Sequence, residues 1–151
     1  MHFLSPEDVK RINLEVIRQT GGALGAVSEA NLHHVCQRAG TVSKTLAGVA
    51  AYYFHSLAFE AHAFTDGNKR TAISAAVAFL KANSVSIEAQ DDELVGFALL
   101  VASGQASRGE VEEWLIKRMK RPAKAIAEVM DAAVSEFIKK HKKAYAVLSK
   151  Y

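Results

Sequence analysis

Nine consecutive residues carry the chemistry that this chain can do: His62-Ala63-Phe64-Thr65-Asp66-Gly67-Asn68-Lys69-Arg70. Asp66-Gly67-Asn68 is turn chemistry, because Asp and Asn tolerate tight backbone and Gly reaches angles closed to other residues. An apolar run follows, so the turn must open a buried helix. The first amides of a helix have no internal acceptor, and with the helix dipole they form an anion site. Lys69 and Arg70 stand in that first turn, where cations oppose the dipole at a cost of a few tenths of a kcal/mol. Two of them there imply a bound anion. Asp66 offers a hard oxygen suited to Mg²⁺ shared with phosphates, and His62 is a residue type that can take a proton near neutral pH. A base, a metal carboxylate and a phosphate nest together suggest phosphoryl or nucleotidyl transfer to a hydroxyl. The same residues have a plainer reading: a helix cap at Thr65 or Asp66, a structural histidine and a solvated first turn. The residues alone leave both open.

The elements that must position this segment read as helices. Ser5-Pro6 with Asp8 is a helix start, and Val9, Ile12, Val16 and Ile17 follow at helical spacing up to Gly21-Gly22. Gly25 keeps the next stretch a loop. A short helix is expected from Ser28-Glu29 to about Arg38, with a break at Gly40 to Ser43. Residues 45–61, rich in Ala and aromatics, read as a buried helix. The motif loop spans Ala63 to Gly67, and the helix from Asn68 to Ala82 is apolar nearly all round. Further helices are expected over Glu93 to Ala102, Arg108 to Met119 and Ala123 to Leu148, the last with a stripe of Ile126, Met130, Ala133, Phe137 and Ala144. No segment alternates as a strand should, so the expected fold class is all-α, with residues 1–120 as the main domain and 121–151 as an amphipathic helix packed on it.

Composition sets the outer bounds. The chain has 151 residues, half of them apolar and 23% charged, with only two prolines. That suits one helical domain with an ordinary core. A single cysteine, Cys36, excludes an internal disulfide and a cysteine-based metal site. No secretory leader or membrane-length apolar run is evident, so a cytoplasmic protein is expected. The net charge of +3 owes much to Lys139-Lys140-His141-Lys142-Lys143, which reads as a solvated helix face, and nucleic-acid binding is the less favoured reading.

The motif resembles the signature of the Fic/Doc family: His, any, Phe, any, Asp or Glu, Gly or Ala, Asn, Gly or Lys, Arg. His62, Phe64, Asp66, Gly67, Asn68, Lys69 and Arg70 match every position. LSPEDVKRI near the N-terminus, Gly21-Gly22 with Gly25, Thr71-Ala72 and FLKANSV at Phe79 to Val85 resemble the Doc (death on curing) branch. The resemblance covers roughly residues 3–120 and implies a six-helix Fic-type bundle. It also implies roles: His62 as the base for a target hydroxyl, Asp66 as the Mg²⁺ ligand, and Gly67, Asn68, Lys69 and Arg70 as the phosphate-binding nest and clamp. Phe64 would anchor the loop. Adenylyl-transferring members mostly carry Gly where this chain has Lys69, and a second Arg where it has Ile73. The Lys implies the Doc activity: ATP seated in reverse, its γ-phosphate passed to a threonine of translation elongation factor Tu, and translation arrested. AMP transfer is the alternative. The chain departs from the family at Asn13, where Ile-His is common in place of Ile12-Asn13.

Family members are often restrained by a helix reading Ser/Thr-x-x-x-Glu-Gly/Asn. Ser103 to Ser107 and Ser135 to Lys140 lack that pattern, so a small antitoxin acting in trans is expected. Thr41 to Thr45 would form a target-docking flap by analogy. His55, His33-His34, Tyr52, Tyr53, Phe54 and Cys36 read as structural, and Trp114, Leu115 and Ile116 read as core.

Overall fold

The computed structural model describes residues 1–121 and 130–151, with the side chains of 130–132 left aside. Helices dominate, as the sequence predicts: α1 Pro6–Thr20, α2 Glu29–Val42, α3 Leu46–His55, α4 Asn68–Ala82, α5 Asp91–Ala102, α6 Arg108–Ile116, α7 Met130–Lys140 and α8 Lys142–Leu148. A π turn, Ser56–Glu60, ends α3. A two-residue antiparallel ribbon, β1 Ser86–Ile87 with β2 Met119–Lys120, is the one paired sheet element among the described residues, and it is too short for alternation to announce it.

Helix α4 lies at the centre and touches α1, α3, the π turn and α7. Residues 70–80 of α4 are all buried, which explains why its apolar residues circle the helix instead of forming one stripe. The aromatic rings of Tyr53 and Phe79 meet at 5.4 Å inside this core. Each such buried side chain contributes roughly 1.5–3 kcal/mol. Helix α1 starts as expected. Ser5 accepts from the Asp8 amide, Asp8 accepts from the Ser5 amide, and Pro6 occupies the first turn.

Several expectations need correction. Helix α2 runs through Gly40 to Val42, because Leu32, Val35 and Ala39 hold its inner face in the core. That packing outweighs the roughly 1 kcal/mol a mid-helix glycine costs. Helix α5 begins two residues early, at Asp91, and α6 stops at Ile116. Ile116 is 56% exposed, and Trp114 is half-buried, stacked on Phe97 at 4.6 Å with Arg118 on its other side; only Leu115 is core. The expected helix from Ala123 to Leu148 is interrupted at His141, between α7 and α8. Its first part, with Ile126, lies outside the described residues, as does the side chain of Met130. Ala133, Phe137 and Ala144 are buried as the stripe predicts. Cys36 is structural: burial pushes its thiol up to about 11. Among the described residues no helix is long and apolar enough to cross a membrane.

Candidate active site

The segment 62–70 crosses from the end of α3 to the start of α4, and both of its ends are unusual. The π turn closes with the Ala61 amide donating to the Ser56 carbonyl at 2.8 Å. His62 then leaves the helix in the left-handed region, at φ 45°. A histidine there is uncommon and costs on the order of 1 kcal/mol or more. His62 is exposed, and its ring has no hydrogen-bond partner among the described residues. The carbonyls on either side of it are tied down. Asn31 donates to the Ala61 carbonyl at 2.7 Å, and the Val27 and Ser28 amides donate to the Ala63 carbonyl at 2.7 and 3.1 Å. The backbone around His62 is therefore fixed while its imidazole faces solvent, the placement a general base needs.

The loop is laced to the segment between α1 and α2. Ala26 bridges Phe64 in antiparallel fashion, and the Thr65 amide donates to the Gly25 carbonyl at 2.9 Å. The extended stretch beside the motif is thus Gly25 to Val27. Thr41 and Val42, expected in a flap, are helical instead. Phe64 is buried, as an anchor should be. Asn68 folds back on Phe64, its Oδ1 accepting from the Phe64 amide at 3.1 Å and its Nδ2 donating to the Phe64 carbonyl at 2.9 Å. Its side chain shapes the loop from within, and only its backbone faces the cup.

Gly67 stands just before α4 at φ 76°, and no side chain caps the helix. A Cβ at Gly67 would lie 3.2 Å from Ile17 Cδ1, so the site demands glycine for both angle and room. The first amide to find a helical acceptor is that of Thr71, on the Gly67 carbonyl at 2.8 Å. The amides of Asn68, Lys69 and Arg70 precede it, have no acceptor within the helix and point outward with the helix dipole.

Charge is arranged beneath and beside this cup. Arg70 is 2% exposed, and its Nη1 donates to Thr20 Oγ1 at 2.7 Å and to the Gly21 carbonyl at 2.8 Å. Its Nη2 reaches Asp66 Oδ1 at 3.3 Å. Burial pushes the guanidinium below its ordinary value, while Asp66 opposes that shift. Arg70 therefore ties the end of α1 to the cup and adds positive charge from below. Asp66 Oδ1 also accepts from the Gly67 amide at 2.7 Å. Its Oδ2 has one long partner, the Ala23 amide at 3.3 Å, and the side chain is 43% exposed. One hard oxygen with unused capacity beside an anion cup fits Mg²⁺, which takes one or two carboxylates together with phosphate and water. Lys69 Nζ donates to the Tyr151 carbonyl at 3.1 Å at the rim. Ile73 is buried, so that position of α4 offers no second cation.

Two residues that hold the site were missed in the sequence: Asn31, on the Ala61 carbonyl, and Asn13. Asn13 is 1% exposed, and its Nδ2 donates to the Asp66 carbonyl at 3.0 Å and to Thr71 Oγ1 at 3.1 Å. The signals available were a polar residue inside the apolar stripe of α1 and the departure from the family's Ile-His at Ile12-Asn13. His55, the last residue of α3, pairs with Glu60 at the end of the π turn at 2.9 Å, which accounts for it structurally.

The family model described as the Fic/DOC family matches residues 3–80, a span that takes in α1 through most of α4 and the whole motif. No curated protein matches the chain.

Proposed function

The chain belongs to the Fic/DOC family, whose members are typically transferases acting on protein hydroxyls, and from that premise we propose that it moves the γ-phosphate of ATP to a Thr or Ser hydroxyl of a translation factor of the elongation factor Tu type. The observation that carries this reading is the pairing of an exposed, backbone-fixed His62 with an uncapped helix start at Asn68 to Arg70.

The amides of 68–70 and the positive end of α4 would bind the triphosphate, and Arg70 would add charge from beneath. Asp66 would hold magnesium, which supplies charge neutralisation to the phosphates when bound. His62 would take the proton of the incoming hydroxyl as its oxygen bonds to the γ-phosphorus. The bond from that phosphorus to the bridging oxygen breaks, and ADP leaves with the electron pair, its new charge stabilised by the same amides. Lys69 and the buried Ile73 favour phosphoryl over AMP transfer. A side chain in place of glycine alters how phosphates seat at the rim, and no arginine is available one turn later.

A protein acceptor suits the surface. Leu24 and Val27, 60% and 67% exposed, stand at the two ends of the segment that pairs with the motif loop through Gly25 and Ala26. Control of such a toxin-like activity would fall to a small antitoxin acting in trans. The test is transfer from ATP labelled at the α or the γ position to purified elongation factor, with His62→Ala as control. γ-label on a threonine, lost in the control, supports the reading. α-label would make the protein an AMP transferase, and label from neither position would refute group transfer to this acceptor.

A further inference from the structure

Helix α1 turns Val9, Ile12 and Val16 into the core, and Asn13 is buried with them. A carboxamide in that setting is unfavourable unless its hydrogen bonds are made. Asn13 makes two, and their acceptors stand on either side of Gly67 along the chain. The Asp66 carbonyl lies just before Gly67, and Thr71 Oγ1 lies at the end of the first turn after it. Nδ2 also lies 3.4 Å from where a Cβ on Gly67 would stand, so the amide group rests against the glycine itself. Gly67 is where the chain switches from the left-handed conformation to the helix that aims the amides of 68–70.

We infer that Asn13 is a positioning residue for the anion cup. It touches no ligand. It fixes the angle between the motif loop and α4 by holding both sides of the Gly67 joint. An apolar residue would fill the same space in the stripe, but it would leave that joint held by backbone terms, the Asp66 carboxylate and Arg70 alone. The contribution of such a buried bond pair is orientation more than net stability, since a hydrogen bond exchanged against water adds little.

The inference rests on the reading that the cup takes a nucleotide triphosphate, and its test separates the two. Asn13→Leu keeps the volume and the apolar stripe, and Asn13→Ala serves as a second variant should the first fail to fold. Two readouts are taken on the full chain: amide hydrogen exchange at Thr71, whose N–H bonds the Gly67 carbonyl, and the KM and kcat for MgATP. Faster exchange at Thr71, with KM for MgATP raised about ten- to hundredfold and kcat and the KM for the acceptor protein little changed, supports the positioning role. Unchanged exchange and unchanged KM for MgATP, with only a lower melting temperature, would overturn it and leave Asn13 a packing residue. If exchange quickens while the wild-type chain itself has no affinity for MgATP, the nucleotide reading falls, whereas the hold of Asn13 on the Gly67 joint stands.

Discussion

His62 and His141 each stand where a helix is interrupted, His62 after the π turn of α3 and His141 between α7 and α8. Their surroundings are opposite. His62 is exposed, in the left-handed region, and its ring meets no partner among the described residues. His141 is 3% exposed, its Nδ1 bonds Asp91 at the start of α5, its ring packs on Phe137 at 4.5 Å, and its Nε2 is buried with no partner among the described residues. One break spends backbone strain to show an imidazole to solvent, and the other uses an imidazole to fasten two helices to a third. The same residue type is thus offered to solvent in one place and serves architecture in the other. What separates them is whether the neighbourhood holds the ring or only the backbone beneath it.

Changes at four residues would break or sharpen that contrast. The largest effect is expected from His62→Ala, which should lower phosphoryl transfer about 10²–10⁴-fold while leaving the melting temperature unchanged. His62→Gly should lose the same activity and melt slightly higher, because glycine accepts φ 45° without strain. Loss of stability in either variant would mean that His62 is structural after all. His141→Ala should do the reverse. Removing a buried ring bonded to Asp91 should cost about 1–3 kcal/mol in chemical denaturation, with kcat/KM per folded molecule within about twofold of wild type. A collapse in kcat/KM at full folding would tie the α7–α8 break to catalysis.

Gly67→Ala should fall between the two kinds. Its φ of 76° makes a side chain cost about 1–2 kcal/mol, and the methyl must push on Ile17, so both stability and nucleotide affinity should drop. A loss of stability alone would show that the cup tolerates a changed joint.

The smallest effect belongs to Glu15. Arg18 chiefly, then Gln19, hold its carboxylate down at about 2 from an ordinary 4.5, and Gln19 reaches Ser135 of α7. A carboxylate depressed in the folded state stabilises it above the unfolded value, and that help is lost as pH falls from about 4.5 toward 2. Glu15→Gln should therefore cost under ~1 kcal/mol at pH 7, solvent screening included, and nothing once both states are protonated. A difference that persists at pH 2 would point to packing in place of charge.

The sequence displayed what is local. The start of α1 was legible because Ser5, Pro6 and Asp8 form a reciprocal cap within four residues. The motif loop and the bounds of α4 were legible because Asp66-Gly67-Asn68 is turn chemistry followed by an unbroken apolar run. What was illegible depends on partners far along the chain. Nothing near Gly40 says that the core will carry α2 past it. Lys139 to Lys143 read as one solvated face, yet His141 turns inward because Asp91, fifty residues away, meets it there. Residues 56–60 hold no proline or glycine to mark a π turn, and the turn is what sets His62 outside the helix. Asn13 read only as a departure from the family's Ile-His, and its meaning lies in Asp66 and Thr71.

The central claim is that the amides opening α4 grip a triphosphate directly beside His62. Titration of MgATP into the ¹⁵N-labelled protein, followed by amide and imidazole resonances, tests it most directly. The expected result is saturable shifts concentrated at Gly67, Asn68, Lys69 and Arg70 and at the ring of His62. Shifts that bypass these residues and gather on the basic run around Lys140 and Lys143, or no shifts at all, would contradict it.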